Sequence, residues 1–185
     1  HSPKEVAQFL MKYHDNLSKE TLGDYFGEEA QFNISVSNSL VLDGDNKIFS
    51  SLLGPEAFTD LISFKKTTID EGMKHFLTFF DLPGEGQKVD RIVQVFARKY
   101  IHDNPTTVYK SSTAAYTLSY LLMMLQTSLH NPQVTEKMTL QQFVDLARGI
   151  NDGENLPVEE LNGLYARVQK CPLAIPSSEK AKQNL

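Results

Sequence analysis

The chain has one cysteine, no tryptophan and no long apolar run among its 185 residues. The single cysteine, Cys171, excludes an internal disulfide and fits a reducing compartment. The longest apolar run, residues 120–125, is far shorter than the roughly 20 residues that a membrane-spanning helix needs. These absences argue against a disulfide-stabilised secreted protein and against a membrane-spanning one.

Three kinds of ligand site are also missing from the sequence. There is no Gly-x-x-x-x-Gly-Lys phosphate loop, so we expect the chain itself to bind no nucleotide. The five histidines lack metal-ligand spacing, and residues 43–47 match a calcium loop poorly because Lys47 takes a ligand position. The net charge of −5 argues against nucleic-acid binding. We therefore expect no metal and no cofactor bound by this chain.

Helical periodicity is what the sequence contains in abundance. Its length suits a single domain, which we place at residues 1–176, followed by a polar tail at 177–185. Apolar residues recur at the i, i+3, i+4 spacing between recognisable helix starts and stops. The helices predicted in this way cover residues 3–14, Ser18 (N-cap) to Gly27, 69–80, 86–103 and 112–129, with two more beginning at the capping box of Thr139 and Gln142 and at Pro157.

The segment 112–129 is apolar nearly all round, which predicts a central, buried helix. Residues 32–42 alternate apolar and polar side chains, and a short strand or an ordered loop are both open there. The fold class predicted from these patterns is all-α.

A sharp corner separates the third and fourth predicted helices and carries one carboxylate, Glu85. Pro83 restricts φ and Gly84 tolerates backbone angles closed to other residues, so we expect a tight, stiff turn. On such a turn Glu85 can be pressed against a partner at little entropic cost. The alternative is that Glu85 simply complements the positive N-terminal end of the helix that follows.

Two motifs together resemble a known family. Residues 80–91 read Phe-Asp-Leu-Pro-Gly-Glu-Gly-Gln-Lys-Val-Asp-Arg, and residues 124–132 read Met-Leu-Gln-Thr-Ser-Leu-His-Asn-Pro. They are similar to the two signature motifs of the Sec-seven (Sec7) domain, the catalytic domain of guanine-nucleotide exchange factors for Arf GTPases. The resemblance covers about residues 5–172 and implies a right-handed superhelix of about eight to ten short helices, here lacking the first ones.

The sequence departs from the family pattern at several positions. Asp81 stands where a basic residue is usual, Gly86 where alanine is usual and Gln126 where asparagine is usual. Gly86 in a first helical turn weakens that turn by up to about 1 kcal/mol. Residues 36–57 are longer than the corresponding family loop.

The resemblance implies a mechanism in which Glu85 is inserted toward the Mg²⁺ and the β-phosphate of GDP in a partner GTPase. Two like charges ~4 Å apart at an effective dielectric near 20 repel by ~4 kcal/mol, a factor of about a thousand in release rate. GDP, GTP and Mg²⁺ are then held by the partner and not by this chain. An apolar groove with a polar rim would bind the GTPase, and the residues assigned to it are Gln87, Lys88, Asp90, Tyr120, Leu122, Met124, Thr127 and Asn131.

Further implications and two rival functions stay open at this point. The resemblance implies a monomeric domain of a larger cytoplasmic protein, peripheral at Golgi or endosomal membranes. Tyr120 matches the residue typical of domains that brefeldin A inhibits, whereas Ser128 is closer to the resistant pattern, so we expect partial inhibition or none.

The two rival functions are a helical module that binds an Arf-like GTPase without catalysing exchange, and, remotely, a hydrolase using Glu85 with His130.

Overall fold

The computed structural model describes residues 3–28 and 55–173. Within these ranges the secondary structure is helical, with a short 3₁₀ helix at His14–Asn16 and one isolated bridge between Asn151 and Glu154. The prediction of an all-α fold is thus confirmed for the described residues. Residues 32–42 and the tail from 177 lie outside them. The α-helices are α1 Pro3–Tyr13, α2 Lys19–Gly27, α3 Pro55–Thr59, α4 Ile69–Phe76, α5 Gly86–Asp103, α6 Ser112–His130, α7 Leu140–Leu146 and α8 Val158–Lys170.

The chain packs as two compact units. Unit 1 comprises His1–Ser63 and Thr78–Val95. Its core is aromatic, because the ring of Phe26 lies 4.7 Å from that of Phe58 and 5.2 Å from that of Phe80. These rings bury the inner faces of α2 and α3 against the segment that precedes α5.

Unit 2 comprises Phe64–Leu77 and Phe96–Leu185, and it contains α4, α6, α7 and α8. The ring of Phe96 lies 5.2 Å from that of Phe64 and 5.5 Å from that of Phe76, and all three side chains are buried. Helix α6 packs against α4, α7 and α8. The predictions of a single domain ending at 176 and of a superhelix stay predictions.

Local capping explains where the helices begin. The Ser18 hydroxyl accepts from the N–H of Thr21, and the Ser111 hydroxyl accepts from the N–H of Ala114. At α7 the Thr139 hydroxyl accepts from the N–H of Gln142, whose amide oxygen accepts from the N–H of Thr139. Each cap satisfies a backbone donor that has no partner within the helix. The predicted N-cap at Ser18 and the predicted capping box at Thr139 are confirmed.

Helix α4 is shorter than its apolar spacing predicts. We expected it to run to Phe80, but it ends at Phe76. The next backbone groups bond to the start of α2 instead: the Lys19 ammonium donates to the carbonyl of Thr78, and the N–H of Asp81 donates to the carbonyl of Lys19 at 3.0 Å. These tertiary bonds compete with the helical pattern and end the helix early.

The prediction that α6 is a buried helix holds for only one of its sides. Seven of its side chains are buried, yet Met124 is 54% exposed and Thr117 and Thr127 are exposed as well. Helix α6 is therefore buried on one side and open on the other.

Among the described helices, none is both long enough and apolar enough to cross a membrane.

Candidate functional site

Glu85 stands at the start of α5, where its backbone carbonyl accepts the N–H groups of Lys88 and Val89 at 3.0 and 3.1 Å. These bonds begin the helix, so the position of Glu85 is set by the helix itself. Its side chain is 73% exposed. A carboxylate on the first residue of a helical turn, turned toward solvent, is accessible to a partner.

The corner before Glu85 does not depend on the backbone freedom of Gly84. The φ angle of Gly84 lies outside the left-handed region, and a Cβ added there would meet nothing within 4 Å. Our expectation that Gly84 supplies an angle closed to other residues was wrong. The corner is held instead by its contacts with α2.

Two glycines of α2 allow that close contact. A Cβ at Gly23 would lie 1.8 Å from the carbonyl oxygen of Asp81, and a Cβ at Gly27 would lie 2.3 Å from Cβ of Lys88. Real Cβ atoms do not approach other heavy atoms so closely. The backbone of α2 therefore lies directly against the segment on both sides of Glu85, and this contact limits how far that segment can move.

Lys88 was predicted as a partner contact on a polar rim, and the structure corrects this. Its side chain is only 11% exposed, and its ammonium lies 2.8 Å from the Glu28 carboxylate, 3.2 Å from Asp24 and 3.3 Å from Glu85. The hydrogen bond to Glu28 is the largest of the effects that raise the pKa of Lys88 above its ordinary value, and the bonds to Asp24 and Glu85 add to it. Lys88 is thus an internal anchor with little surface to offer a partner.

The other two predicted rim residues on α5 are placed differently. Gln87 is exposed. Asp90 is half-buried and accepts a hydrogen bond of 2.8 Å from the side-chain amide of Gln94, one turn further along. Arg91 donates from Nε to the carbonyl of Gly27 at 2.6 Å, which adds a further bond between α5 and α2. Gln87 is the more accessible of the two.

In unit 2, the open side of α6 carries the remaining predicted contacts. Tyr120, Met124, Thr127 and Asn131 are spaced three or four residues apart, so they follow one side of the helix. Met124 and Thr127 are exposed, and Tyr120 and Asn131 are half-buried. The Asn131 side-chain oxygen accepts from the N–H of Gln133 at 2.9 Å and so shapes the turn after α6. The result is a side that is apolar in its middle and polar at its end.

Leu122 was predicted to belong to this side, and the prediction is wrong. Its side chain is 0% exposed and packs in the core of unit 2. Leu122 is two residues from Tyr120 and from Met124, and two residues correspond to roughly half a helical turn. It therefore points to the opposite side of α6.

Three further residues have identifiable structural roles. The His130 ring lies with Nε2 2.7 Å from the carbonyl oxygen of Val168, as expected for a histidine that bonds at a helix end. Cys171 is exposed, and its sulfur accepts from the Lys74 ammonium at 2.7 Å. The Gln126 side-chain oxygen accepts from the N–H of Leu173, so this departure from the family pattern retains a role in the fold.

Residues that sequence reasoning missed lie on α2 or at its C-cap, Glu28. They are the two glycines that admit the corner and the two carboxylates, Asp24 and Glu28, that bind the Lys88 ammonium. One signal was available in the sequence, because two glycines four residues apart in a helix are costly unless another backbone packs closely there. Among residues 3–28 and 55–173, no group of three or more histidine, cysteine or acidic side chains could hold a metal ion.

The described residues form a helical fold that exposes an acid at a helix start and presents a side of α6 that is apolar in its middle and polar at its end. These features are typical of helical protein-interaction domains. Within that class, the chain belongs to the Sec7 domain family, whose family model matches residues 1–173. It is 39% identical over 178 residues to cytohesin-3 of Homo sapiens and 38% identical over the same length to cytohesin-2 of Mus musculus. Each alignment covers 96% of this chain but 40% of the cytohesin, so the chain spans less than half the length of these relatives.

Solved structures agree with this assignment. The Sec7p catalytic domain is 36% identical with a TM-score of 0.75, and the alignment covers 91% of this chain and 79% of that one. A structure described as ARF1-GDP bound to a Sec7 domain complexed with brefeldin A is 29% identical with a TM-score of 0.78, covering 96% and 80% of the two chains. The Sec7 domain of RalF is 31% identical with a TM-score of 0.74, covering 94% and 77%.

Proposed function

We propose that this Sec7 domain is a guanine-nucleotide exchange factor for an Arf-type small GTPase and that Glu85 is its catalytic residue. The observation that carries the proposal is the position of Glu85, whose side chain is 73% exposed directly before α5. The related structure with ARF1-GDP supports an Arf-type partner. GDP, GTP and Mg²⁺ belong to the GTPase, and this chain supplies no cofactor of its own.

The chemistry is electrostatic. When the Glu85 carboxylate approaches the β-phosphate of GDP it repels that phosphate, competes for the Mg²⁺ and offers the phosphate-binding lysine of the GTPase another partner. Repulsion of ~4 kcal/mol between two like charges ~4 Å apart corresponds to a faster release by about a thousandfold. GTP then enters by mass action. No covalent bond is made or broken, so the domain catalyses exchange without being an enzyme in the bond-making sense.

The remaining contacts serve binding and orientation. On α6 we assign Tyr120, Met124, Thr127 and Asn131 to the partner, with Met124 as the principal apolar contact because 54% of it is exposed. On α5 we assign Gln87 and Asp90. An exposed methionine adapts its shape to an apolar partner surface at small cost, while polar neighbours fix the orientation.

A second candidate function is a helical module that binds an Arf-like GTPase without catalysing exchange. It is favoured by one observation: the Glu85 carboxylate already has a cation, the Lys88 ammonium, 3.3 Å away. A paired carboxylate repels a phosphate less than an unpaired one. Glu85 is mostly exposed despite this pair, so we favour catalysis.

The experiment that separates the two functions measures release of fluorescent GDP from an Arf protein with the native chain and with Glu85→Lys. Catalysis predicts acceleration by the native chain and loss of nearly all of it in the variant, at unchanged melting temperature. Binding without acceleration by either protein would identify the module. An exposed glutamate far from the Lys88 cluster in sequence, Glu159 on α8, gives the control Glu159→Gln, which should behave as native.

We place the protein in the cytoplasm, at the surface of Golgi or endosomal membranes. The cytohesin relatives are longer than this chain. Segments outside the Sec7 domain, or the lipid-bound GTPase, would bring the domain to the membrane. Partial or no inhibition by brefeldin A is expected, and exchange assays with the drug test it.

A further inference from the structure

The feature that carries a further inference is the cluster around the Lys88 ammonium in unit 1. Three carboxylates lie within 3.3 Å of one ammonium: Glu28 at 2.8 Å, Asp24 at 3.2 Å and Glu85 at 3.3 Å. Only Glu85 comes from the corner itself. Asp24 lies on α2 and Glu28 is the C-cap of that helix, some sixty residues earlier in the chain, and these two are closer to the ammonium than Glu85 is.

The charges in this cluster do not balance, since three negative groups surround one positive group. If Glu85 were the only partner of Lys88, the pair would be a neutral dipole with little effect on a phosphate. Because Asp24 and Glu28 already more than offset the ammonium, the whole cluster is net negative. Glu85 is its most exposed member at 73%, compared with 52% for Asp24 and 35% for Glu28.

The cluster is also built into the fold. The Lys88 stem lies against Gly27, where a Cβ would come within 2.3 Å of Lys88 Cβ, so the stem has little room to shift. The Arg91 guanidinium also bonds to this end of α2, donating from Nε to the carbonyl of Gly27 at 2.6 Å. Lys88 thus lies on the first turn of α5 with its stem against α2 and its ammonium 3.3 Å from the Glu85 carboxylate.

We propose that Asp24 and Glu28 are positioning residues for nucleotide exchange: they hold the Lys88 ammonium and offset its charge, so that Glu85 keeps a negative field toward the phosphate of the partner. The proposal rests on the exchange function argued above and extends it to residues on α2 and at its C-cap. It also resolves how Glu85 can have a cationic neighbour and still repel a phosphate.

The test compares the native chain with Asp24→Asn/Glu28→Gln in GDP release from an Arf protein. The variant leaves Lys88 with Glu85 as its remaining carboxylate, so we expect the rate at saturation (kcat) to fall about fourfold, from two unit charges ~10 Å from the phosphate in a water-like dielectric. The half-saturating concentration should stay within about twofold. The loss should shrink at about 1 M salt, where charges are screened beyond ~3 Å.

A triple variant distinguishes an effect of charge from an effect of structure. Adding Lys88→Met to the double variant removes the ammonium but keeps an unbranched stem of similar length, so the same estimate predicts a kcat about twofold above that of the double variant. A merely structural role for Asp24 and Glu28 would make the triple variant slower still. The control Asp15→Asn/Glu20→Gln removes two charges from unit 1 at exposed positions and should release GDP at the native rate.

A second readout needs no GTPase. Titration of the Lys88 ammonium by NMR should give a lower pKa in Asp24→Asn/Glu28→Gln than in the native chain, because the bond to Glu28 is the main effect that raises it. An unchanged Lys88 pKa, an unchanged kcat, or a triple variant no faster than the double would each overturn the inference. If the Lys88 pKa falls but the native chain never accelerates GDP release, the charge arrangement stands and the exchange function itself is rejected.

Discussion

Acidic side chains in this protein occupy two contrasting environments. Glu85 is mostly exposed, whereas the side chain of Asp103 is 1% exposed in unit 2 and accepts from the N–H of Phe64 at 2.9 Å and the Lys99 ammonium at 2.7 Å. Burial alone would raise the pKa of Asp103, but the bonds from Lys99 and Phe64 outweigh it and the pKa is lowered. The first arrangement exposes a charge to solvent, and the second uses a charge to stabilise the fold.

Asp103→Asn should lower the free energy of unfolding by about 2 kcal/mol, because it leaves the Lys99 ammonium without its closest partner. The native Asp103 pKa lies below its unfolded value of about 3.9, so its stabilisation is present above that pH and is lost as the pH falls through the folded pKa. Urea unfolding between pH 7 and pH 2 checks both points. Asp145→Asn, which removes an exposed pair with Arg148, should cost less than about 1 kcal/mol, and an equal cost for the two variants would contradict this reasoning.

Single-residue predictions from the sequence had mixed outcomes, for reasons that differ from residue to residue. The exposure of Glu85 follows from a turn and a helix start that adjoin in the sequence. Lys88 was assigned wrongly because its partners Asp24 and Glu28 are distant in sequence. Leu122 was assigned wrongly for a different reason: it lies about half a helical turn from Met124 and its side chain is buried in the core of unit 2.

Helix α2 packs closely against the start of α5 because Gly27 has no Cβ at the point of contact. Average helix propensity predicts that replacing any helical glycine by alanine stabilises a helix by up to about 1 kcal/mol. Whether such a replacement stabilises or destabilises this protein depends instead on which atoms the added Cβ would contact. Gly23 and Gly86 are both helical, but they differ in what a Cβ would meet.

Gly23→Ala should destabilise the protein by about 2–3 kcal/mol, since its Cβ would lie 1.8 Å from the carbonyl oxygen of Asp81 and the backbone must shift to admit it. Because Asp81 precedes the corner that carries Glu85, we also expect slower nucleotide exchange. Thermal unfolding and the GDP-release assay measure the two effects. A variant as stable as the native chain would show that α2 does not constrain the corner.

Gly86→Ala should have the opposite effect on stability. A Cβ there meets nothing within 4 Å and its φ is not left-handed, so the variant should gain between about 0.4 and 1 kcal/mol from helix propensity and a less flexible unfolded chain. The measurement is the same thermal unfolding experiment, with Gly23→Ala as its counterpart. A destabilised Gly86→Ala would mean that this glycine is needed by the fold.

Helix boundaries show the limit of prediction for whole elements. The starts of α2, α6 and α7 follow from side chains that bond to the backbone three residues away, which a sequence displays directly. The end of α4 does not, because it depends on Lys19, whose carbonyl accepts from Asp81 and whose ammonium bonds to Thr78. Such a competition between helical and tertiary hydrogen bonds has no local signature.

For the whole molecule, the fold class and the family were accessible from sequence because both depend on repeated local patterns and two contiguous motifs. The Sec7 family model matches residues 1–173, close to the range that the motifs indicated. The division into two compact units was not anticipated, since it depends on which aromatic side chains meet in each core. Glu85 and its cluster lie in unit 1, and the open side of α6 lies in unit 2.

The central claim is that the negative charge of Glu85 drives GDP release, and the isosteric variant Glu85→Gln tests it most directly. The measurement is the GDP dissociation rate from an Arf protein at saturating concentrations of the native chain and of Glu85→Gln. Loss of the charge should slow release by two to three orders of magnitude, in line with ~4 kcal/mol of repulsion, while the half-saturating concentration stays near the native value. A Glu85→Gln domain that releases GDP as fast as the native chain would contradict the account.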